Sequence, residues 1–166
     1  VIFFSDKIEK YIPAKKGKTH VLHIIRELLS LEPTSKGTNV AQALQYFTNA
    51  QKRHCTAFLI SDFIGSGDMY QPLMIASNRH EVNAIQIYDR REAELPNIGL
   101  AKFHDAETGN DIWVDTAIRS VRDAYAKAWR TNQEQIEQLF TRTGVNQVSV
   151  RTDEDYVKAL MHLFKC

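Results

Sequence analysis

Apolar residues along the chain alternate between short continuous runs and longer stretches with helical spacing. The clearest short run, residues 57–60, is followed by Asp62 and a loop that contains two glycines. A run of this length bounded by turn residues is typical of a strand buried on both faces of a sheet. A second such run at 82–88 ends at Asp89, and residues 69–79 between them have helical spacing. Strand, helix and strand in this order predict a βαβ unit with a right-handed crossover.

The same reading predicts further elements on both sides of this unit. Strands are expected at residues 1–4, 8–12 and 146–151, a hairpin at 99–114, and helices at 19–30, 38–52, 116–143 and from 152 to the end. Thr19, Thr116 and Thr152 are placed to cap three of these helices, and either Thr38 or Asn39 to cap the second. Gly144 marks the end of the longest helix.

The burial of three helices and the charge at the start of the last one are also predicted. Leu73, Met74 and Ile75 are expected to face inward from helix 69–79. Leu160, Leu163 and Phe164 are expected to bury the last helix, and its first turn is expected to hold the acids of residues 153–155.

Strands that alternate with helices predict an α/β fold in which a mostly parallel sheet lies between two helix layers, as in a Rossmann-like three-layer sandwich. The chain has 166 residues, which is the usual size of one domain, and it shows no internal repeat. Residues 1–4 read as a strand with no preceding Met. We therefore expect residues 1–166 to be a single domain that is truncated at its amino terminus.

The charge and cysteine content narrow the classes of partner. The formal net charge is +1 with acids and bases mixed along the chain, so no broad basic field is expected to attract nucleic acid or anionic lipid. No apolar run is long enough to span a bilayer, and no signal peptide is evident. Cys55 and Cys166 have no metal-ligand spacing. Reduced thiols and a cytoplasmic location are therefore expected.

Candidate chemistry lies where polar residues follow the strands. The carboxyl ends of parallel strands are the ligand-binding edge of open α/β sheets, and Thr38 and Asp62 are expected in neighbouring loops there. A hydroxyl and a carboxylate are hard oxygen ligands that suit Mg²⁺, Mn²⁺ or Ca²⁺ and do not suit zinc. Two ligands are too few for a cation site, and residues of these types are more often a helix cap, as Thr38 would be, and an ordinary loop acid, as Asp62 would be.

The order of several motifs carries a family resemblance. The stretches F-F-S-D at 3–6, G-T-N-V-A-Q-A-L at 37–44 and F-L-I-S-D-F at 58–63 resemble a von Willebrand factor A-like domain. The stretches Y-D-R-R-E at 88–92, D-A-E-T-G at 105–109, V-D-T at 114–116 and R-T-D-E-D-Y-V at 151–157 resemble the bacterial family called Domain of Unknown Function 58. The likeness covers nearly the whole chain.

The resemblance implies a metal-ion-dependent adhesion site that is built from three loops. Its second loop supplies a Thr, matched by Thr38, and its third an Asp, matched by Asp62. The first loop carries D-x-S-x-S, and this motif is absent from the chain. The sequence therefore matches half a site. Mg²⁺ or Mn²⁺ is expected in a full-length protein, and weak or no metal binding is expected in this fragment.

The missing motif also implies a missing central strand. In the family's strand order it lies between strand 1–4 and strand 57–60. Either these two strands pair directly, or apolar edges stay open and invite a homodimer through the sheet edges.

The resemblance further implies a non-enzymatic protein-interaction module. Proteins similar to this family accompany MoxR-type AAA+ ATPases, for which they are thought to act as adaptors or partners. The alternative is a Mg²⁺-dependent hydrolase or phosphoryl-transfer enzyme that uses Asp62, with Ser61 beside it as a hydroxyl. No G-x-S-x-G or P-loop motif supports that alternative.

Overall fold

The computed structural model describes residues 1–35, 37–104 and 109–163. The strands are β1 (Ile2–Phe4), β2 (Ile8–Tyr11), β3 (Thr56–Ser61), β4 (Glu81–Tyr88), β5 (Leu100–His104), β6 (Asp111–Asp115) and β7 (Asn146–Arg151). The helices are α1 (Lys18–Ser30), α2 (Val40–Ala50), α3 (Tyr70–Arg79), α4 (Arg90–Ala93), α5 (Arg119–Thr143) and α6 (Tyr156–Leu163).

The central feature is a parallel sheet in the order β3–β4–β7. Its register places Ser61 beside Gln86 and Gln86 beside Ser149, so the three strands end at one edge. The predicted βαβ unit is present as β3–α3–β4, and the α/β class is confirmed. The remaining four strands form two separate antiparallel hairpins, β1–β2 and β5–β6.

One edge of the parallel sheet remains open. Within the described ranges, β3 pairs with β4 alone and β1 pairs with β2 alone. Direct pairing of β1 with β3, one of the two arrangements considered from the sequence, is therefore not formed. Both strands are nevertheless tied to α2, because the amide of Asn39 donates to the carbonyl of Ser5 and Phe4 packs against the core that contains Leu44 and Leu59.

The main core lies on one face of this sheet, beneath α2, α3 and α5. Its buried members are Val40, Leu44, Leu59, Phe63, Met69, Leu73, Ala76, Val82, Ala84, Ile136, Phe140 and Val145. Alternation along β3 and β4 explains the membership, because Leu59, Val82 and Ala84 project to the same face. The periodicity of α5 buries Ile136 and Phe140 one turn apart.

The opposite face of the sheet has less cover. Ile60 and Ile87 lie on that face, and both are exposed. Helix α6 packs against β7 and buries Leu163 apart from the main core. Helix α1 has no buried residue, although its sequence is strongly amphipathic. The molecule therefore has one well-covered sheet face and one that is partly open.

Three helix caps predicted from threonines are wrong. Helix α1 starts after Gly17, so Thr19 lies within its first turn. Thr116 is fully buried, and its hydroxyl donates to the Gly99 carbonyl at 2.7 Å and accepts from the Ile98 amide at 2.9 Å. Thr152 donates to the Asp89 carboxylate at 3.1 Å. The hydroxyls of Thr116 and Thr152 are hydrogen-bonded to residues far away in the sequence, so neither caps a helix.

Other local expectations also need correction. Ile75 is exposed, whereas its neighbour Leu73 is fully buried. The first turn of α6 holds no acid, because the helix begins later than expected and Asp155 accepts a hydrogen bond from the amide of Val157. Gly144 ends α5 in the left-handed conformation, as predicted (φ 67°).

Some predictions fall outside the described residues. They are the turn at 105–108 within the second hairpin, the burial of Phe164 and the state of Cys166. Among the described residues, no helix has the length and hydropathy that crossing a membrane requires.

A pair of substitutions on α3 tests the position of the core. Leu73 has no exposed surface, so Leu73→Ala should lower the free energy of unfolding by about 2–5 kcal/mol through lost burial and a residual cavity. Ile75→Ala on the same helix is the control, because Ile75 is 47% exposed and its loss should stay below about 1 kcal/mol. Urea unfolding followed by circular dichroism measures both, and equal losses would contradict the assigned core face.

Candidate functional site

The carboxyl ends of the three parallel strands bring a set of polar residues to one edge of the sheet. Asp62 follows β3, Asp89 follows β4, and Thr152 follows β7. Thr152 joins two of these ends, because its hydroxyl donates to Asp89 and its amide donates to the Tyr88 carbonyl at 3.0 Å. Asp89 also caps α4 by accepting from the Arg91 amide at 2.8 Å. The hydrogen bond from the Arg91 amide, and to a smaller extent that from the Thr152 hydroxyl, lowers the pKa of Asp89.

Asp62 is exposed, and part of its carboxylate is used to shape its own loop. Its Oδ1 accepts from the amide of Ile64 at 3.1 Å and lies 3.4 Å from the hydroxyl of Ser61. Its Oδ2 accepts no hydrogen bond from the described residues. One oxygen of this exposed carboxylate is therefore left without a hydrogen-bond donor from the described residues.

The residue after Asp62 has an unusual backbone conformation. Phe63 has φ 59°, in the left-handed region that large side chains rarely adopt. Its ring is buried and makes an edge contact with Phe140 of α5 at 5.2 Å between centroids. Its amide donates to the Ser61 hydroxyl at 3.0 Å. The burial of the ring therefore holds the backbone in a turn that a phenylalanine would not otherwise favour.

Gln86 fixes the position of Asp62 from the neighbouring strand. Its side chain is 2% exposed at the centre of the sheet. Its Nε2 donates to the Asp62 carbonyl at 3.2 Å, and its Oε1 accepts from the Ser149 hydroxyl at 3.0 Å. One buried amide thus ties together the ends of all three strands. A polar residue in a strand predicted to be buried is the sequence signal that could have indicated this role, although Asn83 of the same strand gives the same signal.

Thr38 lies in the loop before α2 and does not cap that helix. The cap is Asn39, whose Oδ1 accepts from the Gln42 amide at 2.9 Å. The capping role that the sequence left open for Thr38 is therefore filled by its neighbour. Gly37 lies against the turn after β1, with its Cβ position 3.5 Å from the Cβ of Asp6. The structure places Thr38 and Asp62 in separate loops that flank α2 and β3, with no hydrogen bond joining them.

Two residues near Asp62 were not expected from the sequence. Glu92 of α4 has a buried Oε2 with no hydrogen-bond partner among the described residues. Its pKa is raised, mainly by burial and also by the negative charges of Asp62 and Asp89. Ser66, in the loop after Asp62, has a buried hydroxyl without a partner in the same described part of the chain. Neither group can be recognised from the sequence, because its burial arises only in the folded chain.

Thr38 and Asp62 have the right kind of ligand atoms for a hard cation, but two ligands are too few to hold one. Thr38 and Asp62 offer oxygen ligands, whereas Mg²⁺ or Mn²⁺ takes about six oxygens, some of them from water. Within the described ranges, no group of three or more His, Cys, Asp or Glu side chains is arranged to hold a metal ion. Any cation at Thr38 and Asp62 would therefore need ligands from elsewhere.

The structure has an open depression at the end of β4. It has a volume of about 420 Å³, lies beside Asp89 and includes Arg90, Arg91 and Asp153 among its lining residues. Neither Thr38 nor Asp62 lines it. Asp62 lies on an exposed loop.

Comparison with known proteins identifies similar sequences. The family model described as "Protein of unknown function DUF58" matches residues 1–135. The chain is 30% identical over 150 residues to the uncharacterized protein Rv1480 of Mycobacterium tuberculosis, covering 88% of this chain and 46% of that protein. It is 29% identical over 158 residues to the uncharacterized protein MAV169 of Mycobacterium avium, covering 93% of this chain and 92% of that protein. The chain thus spans about half the length of the M. tuberculosis relative.

A solved structure supports the fold. The conserved hypothetical protein BatB from Bacteroides thetaiotaomicron matches with a TM-score of 0.53 at 14% identity, covering 97% of this chain and 73% of that one. At this identity the likeness concerns the fold alone. The α/β, von Willebrand factor A-like fold expected from the sequence motifs is confirmed.

The bond between Gln86 and Asp62 can be tested by removing the amide while keeping the size of the side chain. Gln86→Met should lower the free energy of unfolding by about 1–3 kcal/mol, because it leaves the Asp62 carbonyl without its partner. Ser149→Ala removes only the second bond of Gln86 and should cost about 1 kcal/mol or less. Chemical denaturation measures both variants. A Gln86→Met variant as stable as the parent would show that the amide does not hold this edge.

Because the pKa of Glu92 is raised, replacing this carboxyl with a neutral side chain should increase the stability of the fold by an amount that depends on pH. A carboxyl whose pKa is higher in the folded chain than its ordinary 4.5 destabilises the fold increasingly as pH rises through that value. Glu92→Gln should therefore be more stable than the parent at pH 7, and the difference should shrink towards pH 4. Glu94→Gln is the matched control, since Glu94 is exposed and 4.0 Å from Arg90. Thermal unfolding across this pH range would contradict the prediction if Glu92→Gln showed no gain at pH 7.

Proposed function

The chain belongs to the DUF58 family of proteins of unknown function, and from that premise we propose that it is a non-enzymatic protein-interaction module. The contact surface in this proposal is the loop edge that carries Thr38 and Asp62. A divalent cation, Mg²⁺ or Mn²⁺, mediates the contact in the full-length protein, and an acidic side chain of the partner completes its coordination. The partner that the motif resemblance favours is a MoxR-type AAA+ ATPase.

The observation that carries the proposal is the presentation of Asp62. Its backbone carbonyl is held by the buried amide of Gln86, so the start of the loop is fixed. Its carboxylate remains exposed, and Oδ2 is without a hydrogen-bond donor among the described residues. A rigidly placed acid with an unused oxygen on an open surface is suited to share a cation with another protein.

Thr38 supports the same interpretation. With Asn39 as the cap of α2, the Thr38 hydroxyl has no role in starting the helix. Two oxygen ligands leave most of the coordination positions of Mg²⁺ to water, to other residues of the full-length protein and to the partner. Binding through such a site would be weak for the ion alone and stronger when the partner's carboxylate is present.

The surroundings of Asp62 favour binding over catalysis. Ser61, the nearest hydroxyl, is already engaged, since it contacts Asp62 and accepts from the Phe63 amide. A nucleophile needs a general base within hydrogen-bond reach, and among the residues with described side chains no histidine is hydrogen-bonded to Ser61. The Mg²⁺-dependent hydrolase or phosphoryl-transfer enzyme is therefore the second candidate, and the experiment below distinguishes it.

A cytoplasmic location is part of the proposal. Cys55 is a free, half-buried thiol, and burial raises its pKa. A cysteine without a disulfide among the described residues is typical of a reducing compartment. The activity and partners of the whole protein are proposed on the same footing, because the chain corresponds to about half of its M. tuberculosis relative.

Pull-down with metal titration tests the proposed contact. Asp62→Asn and Thr38→Val in the full-length protein should each weaken capture of the MoxR-type ATPase by about tenfold or more in Mg²⁺ or Mn²⁺. Both variants should match the residual binding of the parent in EDTA. Asp68→Asn is the control, because Asp68 lies in the same loop and only accepts from the Tyr70 amide at 3.0 Å. It should bind like the parent.

Two results would contradict the proposal. Capture of the ATPase that ignores EDTA and both substitutions would remove the cation from the contact. Hydrolysis of a phosphate ester by the parent, abolished in Asp62→Asn and retained in Asp68→Asn, would favour the enzyme instead.

A further inference from the structure

Helix α1 has an apolar surface that no described residue of its own chain covers. Its exposed apolar residues recur three, four and seven positions apart, which places them along one stripe of the helix. They are Val21, Leu22, Ile25, Leu28 and Leu29, between 46% and 82% exposed. No residue of α1 is buried. A stripe of this kind on a surface helix normally faces a sheet or another helix.

One face of the parallel sheet exposes apolar side chains that a helix would normally cover. On the face opposite the main core, Ile60 of β3 is 54% exposed and Ile87 of β4 is 41% exposed. Ile85 pairs with Ile60 in the register and is only half-buried. Parallel sheets are stable when helices cover both faces, so this part of the sheet lacks a helix.

Helix α1 of the same chain does not supply that cover. Lys10 of β2 forms an ion pair with Glu27, which ties α1 to the first hairpin. Its apolar stripe stays exposed in this position, and so do Ile60 and Ile87. Among the described residues, the chain thus carries an apolar helix stripe without cover and a sheet face without a covering helix.

We propose that a second copy of this chain brings these two surfaces together. Helix α1 of each copy lies on the open sheet face of the other, in a two-fold symmetric dimer. Such an interface is isologous, so each surface is used twice and no apolar stripe is left over. The proposal is independent of the proposed function, because it uses neither Thr38 nor Asp62.

Charge and area agree with a second copy as the occupant. The stripe of α1 consists of apolar residues only, and β3 (T-A-F-L-I-S) contains no charged residue and no proline. An apolar helix stripe can therefore meet this uncharged strand without like-charge repulsion at the contact. A helix of 13 residues is about 20 Å long and 10 Å wide. Two reciprocal contacts remove on the order of 1,000 Å² from water, near the lower limit for a specific interface.

Sedimentation equilibrium and light scattering of the 166-residue chain test the dimer. The parent should be mostly dimeric at about 50 µM, since association depends on protomer concentration. Ile25→Lys on α1 and Ile60→Glu on β3 should each raise the dimer dissociation constant by about tenfold or more. Leu100→Lys is the control, because Leu100 is 66% exposed on the separate β5–β6 hairpin. It should dimerise like the parent, and circular dichroism should show all four proteins folded.

A mixing experiment tests the reciprocal geometry. When Ile25→Lys and Ile60→Glu proteins are combined, one of the two contacts in the heterodimer is again formed by parental residues. The mixture should therefore dimerise more strongly than either variant alone, a result that unrelated destabilisation of the fold would not give. Differential tagging and co-purification measure the heterodimer directly.

Four results with the 166-residue chain would overturn the proposal. They are a parent that is monomeric at about 500 µM, a control that dissociates as readily as Ile25→Lys, a mixture no stronger than its components, and dissociation by Ile60→Glu alone. The last would indicate pairing through the edge of β3 without α1. A monomeric full-length protein beside a dimeric 166-residue chain would likewise reject it, because the cover would then come from the same polypeptide.

Discussion

A parallel sheet must be shielded from water on both faces, and this constraint governs how the rest of the molecule is arranged. Strands β3 and β4 carry apolar residues on both of their sides, whereas β7 has its two valines on one side only. On one side, helices α2, α3 and α5 supply the shield and produce the main core. On the other side the shield is partial. The two hairpins form no ladder with this sheet within the described ranges, so the sheet alone determines which loops come together.

The loops that come together are predominantly acidic, and the sheet holds them in place through polar contacts. Gln86 is the centre of this arrangement, because it reaches β3 on one side and β7 on the other. Asp62, Asp89 and Glu92 then lie close enough for the first two to raise the pKa of the third. The cluster gathers negative charge that the fold itself only partly offsets. A cationic ligand or partner is the natural complement to such a surface.

The sequence predicted the elements well and their polar contacts poorly, for a physical reason. The position of β7 was correct to the residue, and β3, α3 and β4 were correct to within one, because apolar periodicity is a local signal. Thr116 and Thr152 were misassigned because hydroxyls choose between helix amides and distant carbonyls or carboxylates, which only folding brings near. Gln86 owes its role to residues 24 or more positions away, and Glu92 owes its raised pKa mainly to burial. The sequence indicated Thr38 and Asp62 as possible metal ligands. The interactions of Asp62 with Gln86 and Glu92 became known only from the structure.

The contact between Phe63 and Phe140 makes the loop of Asp62 sensitive to events far from it. A phenylalanine in the left-handed region carries a conformational cost of about 1–2 kcal/mol, which the burial of its ring offsets. Any displacement of the end of α5 weakens that burial and lets the backbone beside Asp62 relax to an ordinary conformation. The 25-residue helix α5 is thereby mechanically coupled to the acidic loop. A protein that grips the far end of α5 would be able to adjust the affinity of this loop for a ligand without touching it.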